Sequence, residues 1–284
     1  MMQLHAIAEI FALLVGLCVG SFLNVCIARM PEDRSVVSPP SHCPACGAGI
    51  RPWDNIPLLS WVILRGRCRD CGTSISVLYP IIELMTGLMF WVLFHRFIPG
   101  PEALTQGNLL AYGLICTMVA MLIGQTFIDI RHFIIPNEFS IYAAPIGILG
   151  MWGVSSFGVD YGVIASGWRD AAVGSVLGGG SLALIMGAYW LFRREEGMGM
   201  GDVKLLMMIG AFLGTVPAIP FVLIVSSLAG ALVGLPMALF GNKGLRVAMP
   251  FGPFLAFGAI LYVLHGPEII ARFFPGVSFL LQSS

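Results

Sequence analysis

Charged side chains are scarce in this chain, and their scarcity excludes most soluble proteins. Only 11% of the 284 residues are Asp, Glu, Lys or Arg, whereas 57% are hydrophobic; a soluble globular domain carries roughly 25% charged residues. The formal net charge is zero, and no block of basic residues offers a surface for nucleic acid. The composition therefore predicts an integral membrane protein that contacts lipid and no nucleic acid.

Long apolar runs predict the fold class. Because a helix needs about 20 apolar residues to cross a bilayer, we predict an all-α polytopic membrane protein with about eight transmembrane helices. The predicted spans are residues 5–28, 78–98, 108–129, 136–154, 171–192, 203–216, 218–240 and 251–272. No basic residue precedes the first run, and this run is longer than the apolar region of a typical signal peptide, so we expect a retained helix.

The Lys and Arg residues are distributed unevenly among the predicted loops. Cytoplasmic loops collect positive charge, and an amino terminus on the outer side places most of the 15 basic residues on the inner face. The inner set is Arg29, Arg34, Arg51, Arg65, Arg67, Arg69, Arg131, Arg193, Arg194, Lys204, Lys243 and Arg246. Only Arg96, Arg169 and Arg272 remain outside. We therefore predict that the polar segment at residues 29–77 is cytoplasmic.

Two C-x2-C pairs lie in this polar segment. The four cysteines are Cys43, Cys46, Cys68 and Cys71. Their spacing is close to that of two knuckles around a tetrahedral zinc ion, and Gly47 and Gly72 permit the positive φ that a tight knuckle often needs. Two disulfides or four unrelated thiols are the alternatives. Four thiolate ligands leave no open coordination position, so the zinc would be structural.

These predictions divide the chain into three parts. Residues 1–28 form the first transmembrane helix, residues 29–77 form the cytoplasmic zinc-binding segment, and residues 78–284 form a helical bundle. The other three cysteines, Cys18, Cys26 and Cys116, lie in apolar helices and are expected to pack there.

Acids in or against membrane spans indicate function, because a carboxylate in hydrocarbon is costly. Four acids have this placement, namely Glu9, Glu83, Asp129 and Asp202. Asp129 ends a span that runs inward, and Asp202 begins a span that runs outward, so both fall at the cytoplasmic boundary. Two carboxylates that face each other share a proton; the charged one then activates water while the neutral one polarises a carbonyl. We predict an aspartic protease dyad that needs no metal.

The stretch GMGMGD supplies a second reason for this prediction. Gly197, Gly199 and Gly201 would let the backbone approach a substrate closely. Structural alternatives stay open: Asp129 pairs with Arg131 or His132, or Asp202 caps the start of its helix. A transporter or ion channel, or a module that binds without cutting, would also contain buried acids, although a transporter would place them nearer the bilayer midplane.

Other residues have less specific expectations. Glu83 either pairs with a basic residue of the polar segment or helps to seat a substrate, and no role is assigned to Glu9. Gly174 and Gly178 are expected at close helix contacts. Pro250 and Pro253 are expected to loosen the start of the last span, where broken backbone tends to line a cavity.

Several motifs together resemble the type 4 prepilin peptidases, a bacterial inner-membrane family of aspartic proteases that contain a G-x-G-D motif. They are GSFLNVCIARMP, CPACG, WDNIPLLSWVILRGRCRDCG, YPIIELMTG, IDIRHFIIPNEFS, GMGMGDVKLL and PFGPFLAFG. The resemblance implies that Asp129 and Asp202 are the two catalytic aspartates. It also implies a multi-pass protein of the bacterial inner membrane with a periplasmic amino terminus.

The resemblance further implies the substrates and the methyl donor. Prepilins and pilin-like secretion subunits would be cut on the cytoplasmic side, after a glycine that joins a basic leader to an apolar helix. The new amino terminus would then be methylated from S-adenosylmethionine. No residue is assigned to this donor, because the chain has no dinucleotide-type fingerprint between a strand and a helix.

Two positions depart from the family pattern. The family often has histidine and arginine where this chain has Ala48 and Leu78. Both lie in or next to the polar segment that the family associates with methyl transfer. A leader peptidase without methyltransferase activity is therefore an alternative, and a transporter with a structural zinc module is a further one.

Overall fold

The computed structural model describes residues 2–194, 199–240 and 249–273. Nine α-helices lie within these residues, and the described part of the chain contains no β-strand. The helices are α1 (Met2–Arg29), α2 (Leu59–Ile63), α3 (Leu78–Phe97), α4 (Gln106–His132), α5 (Ala144–Ser156), α6 (Trp168–Arg193), α7 (Met200–Leu213), α8 (Ala218–Phe240) and α9 (Gly252–Phe273). The prediction of an all-helical polytopic protein is confirmed.

Six helical segments in the described residues are long and apolar enough to cross a membrane. They are Met2–Glu32, Leu78–Phe97, Gln106–His132, Trp168–Phe192, Ala218–Leu239 and Gly252–Phe273. The other two predicted spans coincide with α5 and α7, which have 13 and 14 residues. Each predicted span therefore corresponds to a helix, and these two helices are shorter than a full crossing.

Helix α5 begins later than the sequence predicts, and proline explains the delay. Helix α4 ends at His132, and Phe133 caps it with φ of +55°. Pro136 disfavours helical geometry at the residue before it, and Ser140 Oγ then donates to the Pro136 carbonyl within a run of turns. The chain resumes as a helix at Ala144, with Pro145 in the first turn, where a missing N–H costs nothing.

The chain divides into two compact units, Met1–Leu104 and Thr105–Ser284. In the first unit α1 packs closely on α3, because Gly16 and Gly20 leave no side chain between the helices: a Cβ at Gly16 would lie 2.8 Å from the Gly87 Cα. Glu9 is fixed here as well, since Trp91 donates to it at 2.7 Å and His95 Nε2 lies 3.0 Å from it. The three-part division with boundaries at 28 and 77 stays a prediction.

In the second unit α6 packs along α7, and α4, α5, α8 and α9 complete the bundle around them. The expectation for Gly174 and Gly178 is confirmed. A Cβ at Gly174 would meet the Gly210 carbonyl oxygen at 2.5 Å, and a Cβ at Gly178 would overlap the Leu206 carbonyl oxygen. Helices that approach this closely hold the start of α7 in a defined position.

This contact generates a stability prediction. We expect Gly178→Ala to destabilise the protein by about 1–3 kcal/mol, because the added methyl group overpacks against the backbone of α7. Gly180→Ala is the matched control, since a Cβ at Gly180 meets no atom within 4 Å. Thermal unfolding of both variants in detergent, followed by circular dichroism, measures the difference. Equal melting temperatures for the two variants would contradict the close contact.

Candidate functional site

Asp129 lies in the last turn of α4 and is buried, with 5% of its surface exposed. Its carboxylate oxygen Oδ2 accepts a hydrogen bond of 3.1 Å from the backbone N–H of Gly252. Gly252 is the first residue of α9 and directly follows the break between α8 and α9 in the chain. The free N–H of a helix start therefore serves as the donor to this acid.

Asp202 occupies the first turn of α7 and is also buried, with 7% exposed. The cap of this helix is Gly199, which makes no side-chain capping bond. The alternative in which Asp202 caps its own helix is therefore not supported. Within the part of the chain that the structure describes, no hydrogen bond reaches the Asp202 carboxylate.

The structure brings these two aspartates to one site. They are close enough to interact electrostatically. Ile135 packs between Gly201 at the start of α7 and Gly252 at the start of α9. A Cβ at Gly201 would lie 3.1 Å from the Ile135 side chain, and a Cβ at Gly252 would lie 3.2 Å from Ile135 Cδ1 and 2.6 Å from Asp129 Oδ2. A side chain at Gly252 would therefore displace the Asp129 carboxylate, and one at Gly201 would displace the Ile135 side chain by a few tenths of an ångström.

The expected ionic partners of Asp129 lie elsewhere. Arg131 and His132 are exposed on the last turn of α4, and neither forms an ion pair with Asp129 among the described residues. Lys204 donates to Asn137 Oδ1 at 3.1 Å and so ties α7 to the turn after α4. Both buried acids therefore lack a basic partner among the described residues, as a pair that shares a proton requires.

Two residues at this site were not predicted from the sequence. Gly252 lies within the motif PFGPFLAFG, where the two prolines indicated broken backbone but not a donor to Asp129. Gln125 precedes Asp129 by four residues and so lies on the same face of α4, one turn away. It is 0% exposed, and neither its amide nitrogen nor its amide oxygen has a hydrogen-bond partner in the part of the chain that the structure describes. A glutamine inside an apolar span was the available signal. Gly197, Lys243 and Arg246 lie outside the described residues.

The four cysteines of the polar segment form one cluster in the first unit. Their sulfur atoms all lie within 4.8 Å of one another, and Cys43 Sγ and Cys71 Sγ are 3.8 Å apart. Tetrahedral zinc with Zn–S bonds of about 2.3 Å separates its sulfur ligands by roughly 3.8 Å. All seven cysteines are free, so the disulfide alternative is not supported, and the four together could hold a metal ion.

The two halves of this cluster repeat one backbone pattern. Cys43 N–H donates to the Ala48 carbonyl and Gly47 N–H donates to the Cys43 carbonyl, both at 2.8 Å. In the second half, Cys68 N–H donates to Thr73 at 2.8 Å and Gly72 N–H donates to Cys68 at 3.0 Å. Gly47 and Gly72 have φ of +73° and +72°. The prediction that these glycines permit positive φ is confirmed.

The thiols differ in how readily they ionise. Hydrogen bonding with Thr73 lowers the pKa of the Cys71 thiol to about 6. A backbone hydrogen bond at Ala48 acts in the same direction on Cys46, but the neighbouring thiols and desolvation raise the pKa of Cys46 to about 12. Four adjacent thiols therefore need a cation to become thiolates together at neutral pH.

Glu83 lies on α3 in the first unit and is 8% exposed. Its oxygen Oε2 accepts the backbone N–H of Leu58 at 2.8 Å. The expectation that Glu83 pairs with a basic residue is wrong for the described residues, whose ion pairs do not include it.

Two family models match the chain. Residues 14–97 match the model described as the bacterial peptidase A24 N-terminal domain. Residues 115–235 match the model of the type IV leader peptidase family. These matches contain the four cysteines and both aspartates.

Curated proteins are similar over most of the chain. The prepilin leader peptidase/N-methyltransferase of Aeromonas hydrophila is 36% identical over 283 residues, which cover 90% of each chain. The protein of that name from Myxococcus xanthus (strain DK1622) is 40% identical over 84% of this chain and 65% of its own length. The one from Pseudomonas putida is 35% identical over 92% and 91%. No solved structure matches the chain.

The orphaned amide of Gln125 generates a prediction about stability. A buried polar group without a partner costs about 1–3 kcal/mol, so we expect Gln125→Leu to raise the melting temperature in detergent. Thr126→Val is the matched control, because the Thr126 hydroxyl already donates to the Leu122 carbonyl at 2.7 Å. A lower melting temperature for Gln125→Leu than for the wild type would show that this amide has a partner.

Proposed function

Because the chain belongs to the type IV leader peptidase family, we propose that Asp129 and Asp202 cleave the leader peptide from type 4 prepilins and pilin-like secretion subunits. The chain is a multi-pass protein of the bacterial inner membrane. The observation that carries the proposal is the meeting of two buried aspartates from α4 and α7, with the Gly252 N–H directed at one of them.

Asp129 and Asp202 have different roles in this mechanism, because only Asp129 accepts a backbone hydrogen bond from the described residues. The Gly252 N–H stabilises negative charge on Asp129, so Asp129 is the ionised member and takes a proton from the attacking water. Asp202 receives no donor from the described residues and carries the shared proton, which it presents to the carbonyl oxygen of the scissile peptide. The C–N bond of the tetrahedral intermediate then breaks as Asp129 gives its proton to the leaving amine. The hydroxyl formed at the former carbonyl oxygen returns its proton to Asp202, which restores the pair. The chemistry requires no metal at the dyad.

The cut follows from the placement of the dyad at helix ends. Asp129 ends α4 and Asp202 begins α7, so we place both at the cytoplasmic boundary of the membrane, with the amino terminus in the periplasm. A substrate with a basic leader in the cytoplasm and an apolar helix in the bilayer presents its junction at this depth. The resemblance identifies that junction as a glycine.

The relatives' printed names also include N-methyltransferase. We therefore propose that the new amino terminus is methylated from S-adenosylmethionine. Cys43, Cys46, Cys68 and Cys71 would hold a structural zinc ion, which supplies a rigid crosslink between the two knuckles when bound. The closed set of four sulfur ligands supports a structural rather than a catalytic role.

The dyad is tested by single substitutions. We expect Asp129→Asn and Asp202→Asn each to lower prepilin cleavage by at least about 100-fold, because each removes a proton-transfer group. The measurement is cleavage by purified protein in detergent. Asp160→Asn makes the same charge change at an exposed turn, where an amide can still accept the Gly162 N–H. Near wild-type cleavage by either dyad variant would refute the two-aspartate mechanism.

The zinc site is tested by metal content. We expect about one zinc ion per chain in the purified protein, and Cys43→Ser together with Cys46→Ser should remove it. Because metal binding contributes folding energy here, protease cleavage between residues 30 and 77 should become faster. Cys18→Ser is the control, since this cysteine lies on α1, outside the cluster. Free alkylation of all four thiols before any chelator is added would contradict the site.

A further inference from the structure

The first unit contains a cavity of about 500 Å³ that the peptidase chemistry does not use. One side is formed by α1 and α3, through residues such as Asn24, Tyr79 and Glu83. The other sides come from the polar segment, including Cys43 and Trp61. Sites for small molecules have volumes of ≈ 300–1,000 Å³, so the cavity fits a ligand of nucleoside size.

Glu83 lines the cavity with a buried carboxyl group that forms no ion pair among the described residues. Its Oε2 accepts from Leu58 N–H, and its second oxygen has no hydrogen bond among the described residues. A buried carboxylate without a paired cation is unfavourable. The nearby acid Asp54 differs, because Arg69 binds it with two hydrogen bonds of 2.8 and 2.5 Å. Asp70, a third acid of the wall, pairs with Arg51 at 3.6 Å, so Glu83 is the acid of the wall that has no ion pair among the described residues.

Leu58, whose backbone N–H donates to Glu83, has a strained backbone conformation. Leu58 has φ of +59° and ψ of −52°, a conformation that a branched side chain rarely adopts. Its N–H bond to Glu83 fixes this turn against α3. Asn24 is held in a similar way, since its amide nitrogen donates to the Gly20 and Tyr79 carbonyls at 3.3 and 3.1 Å. Its amide oxygen then remains an acceptor beside the cavity.

The remaining walls suit the other parts of a charged nucleoside. Trp61 offers an aromatic ring, which is fixed because its Nε1 donates to the Ile75 carbonyl at 3.2 Å and Gly66 packs against the ring. Arg29 and Arg34 also line the cavity, but Arg34 already forms an ion pair with Glu32 at 2.8 Å, whereas Arg29 donates, among the described residues, only to the Ser35 carbonyl. A ligand with a cationic centre, an aromatic base and a carboxylate would match an acid, an aromatic ring and the guanidinium group of Arg29.

We propose that this cavity binds S-adenosylmethionine, and that Glu83 receives the positive charge of the donor. The proposal rests on the proposed methyl transfer and assigns it to residues of the first unit. Trp61 stacks on the adenine, and Arg29 binds the carboxylate. Glu83 faces either the sulfonium or the ammonium group of the donor. S-adenosylhomocysteine keeps the ammonium group but has a neutral thioether in place of the sulfonium.

Titration calorimetry in detergent tests the assignment without relying on catalysis. Glu83→Gln keeps an acceptor for Leu58 N–H but removes the charge, so we expect its affinity for S-adenosylmethionine to fall at least about tenfold. A smaller fall for S-adenosylhomocysteine would assign the sulfonium to Glu83, and an equal fall would assign the ammonium. Asp33→Asn is the control, because Asp33 lies in the polar segment, does not line the cavity and has φ of +52°, which asparagine tolerates.

The outcomes separate this inference from the proposed function. Wild-type affinity in Glu83→Gln would overturn the cavity assignment and leave methyl transfer in place. A wild-type protein that cleaves prepilin but binds no S-adenosylmethionine would overturn both the assignment and the methyltransferase proposal. Photo-crosslinking of radiolabelled donor to the wild-type protein gives a second measurement that does not depend on a variant. Label on peptides from residues 21–83 supports the site, and label confined to residues 105–284 overturns it.

Discussion

The free-energy cost of removing a carboxylate from water governs this structure more than any other constraint. Four acids lie in or against predicted spans, and a different contact offsets the lost hydration of each. Glu9 accepts from the Trp91 indole, Glu83 accepts from Leu58 N–H and Asp129 accepts from Gly252 N–H. Asp202 has no donor among the described residues and depends on Asp129. Asp202 has the fewest contacts that would stabilise a negative charge, so it is the acid of the pair that retains the proton.

Close packing of helices at glycine is what makes these contacts possible. Gly252 reaches Asp129 only because it has no Cβ, which would lie 2.6 Å from the carboxylate oxygen. Gly174 and Gly178 let α6 lie against the backbone of α7, and this contact fixes the helix that carries Asp202. Small residues thus have two roles in the second unit: they bring helices together and they expose a backbone donor to an acid. In both roles the missing side chain is the functional property.

The first unit joins the polar segment at residues 29–77 to the two apolar helices α1 and α3. The cysteine knuckles repeat the same turns and hydrogen bonds, so a metal at their centre would constrain both halves equally. Glu83 on α3 binds this polar segment through the backbone N–H of Leu58 rather than through a basic side chain. Glu83 therefore forms no ion pair among the described residues, whereas Asp54 is bound by Arg69.

The amino-acid sequence by itself determined the fold class, the approximate places of eight apolar helices and the grouping of the four cysteines, and it predicts Asp129 and Asp202 as the catalytic pair. These features are readable because hydropathy, ligand spacing and charge bias are local patterns. Tertiary structure alone decided that Gly252 donates to Asp129 across 123 positions, that Glu9 meets Trp91, and that Glu83 faces a cavity instead of a basic partner. It also decided that α5 is short, with turns where the apolar pattern continues. Such contacts depend on how helices approach one another, and that approach is set by the packing of residues distant in the chain rather than by any local pattern.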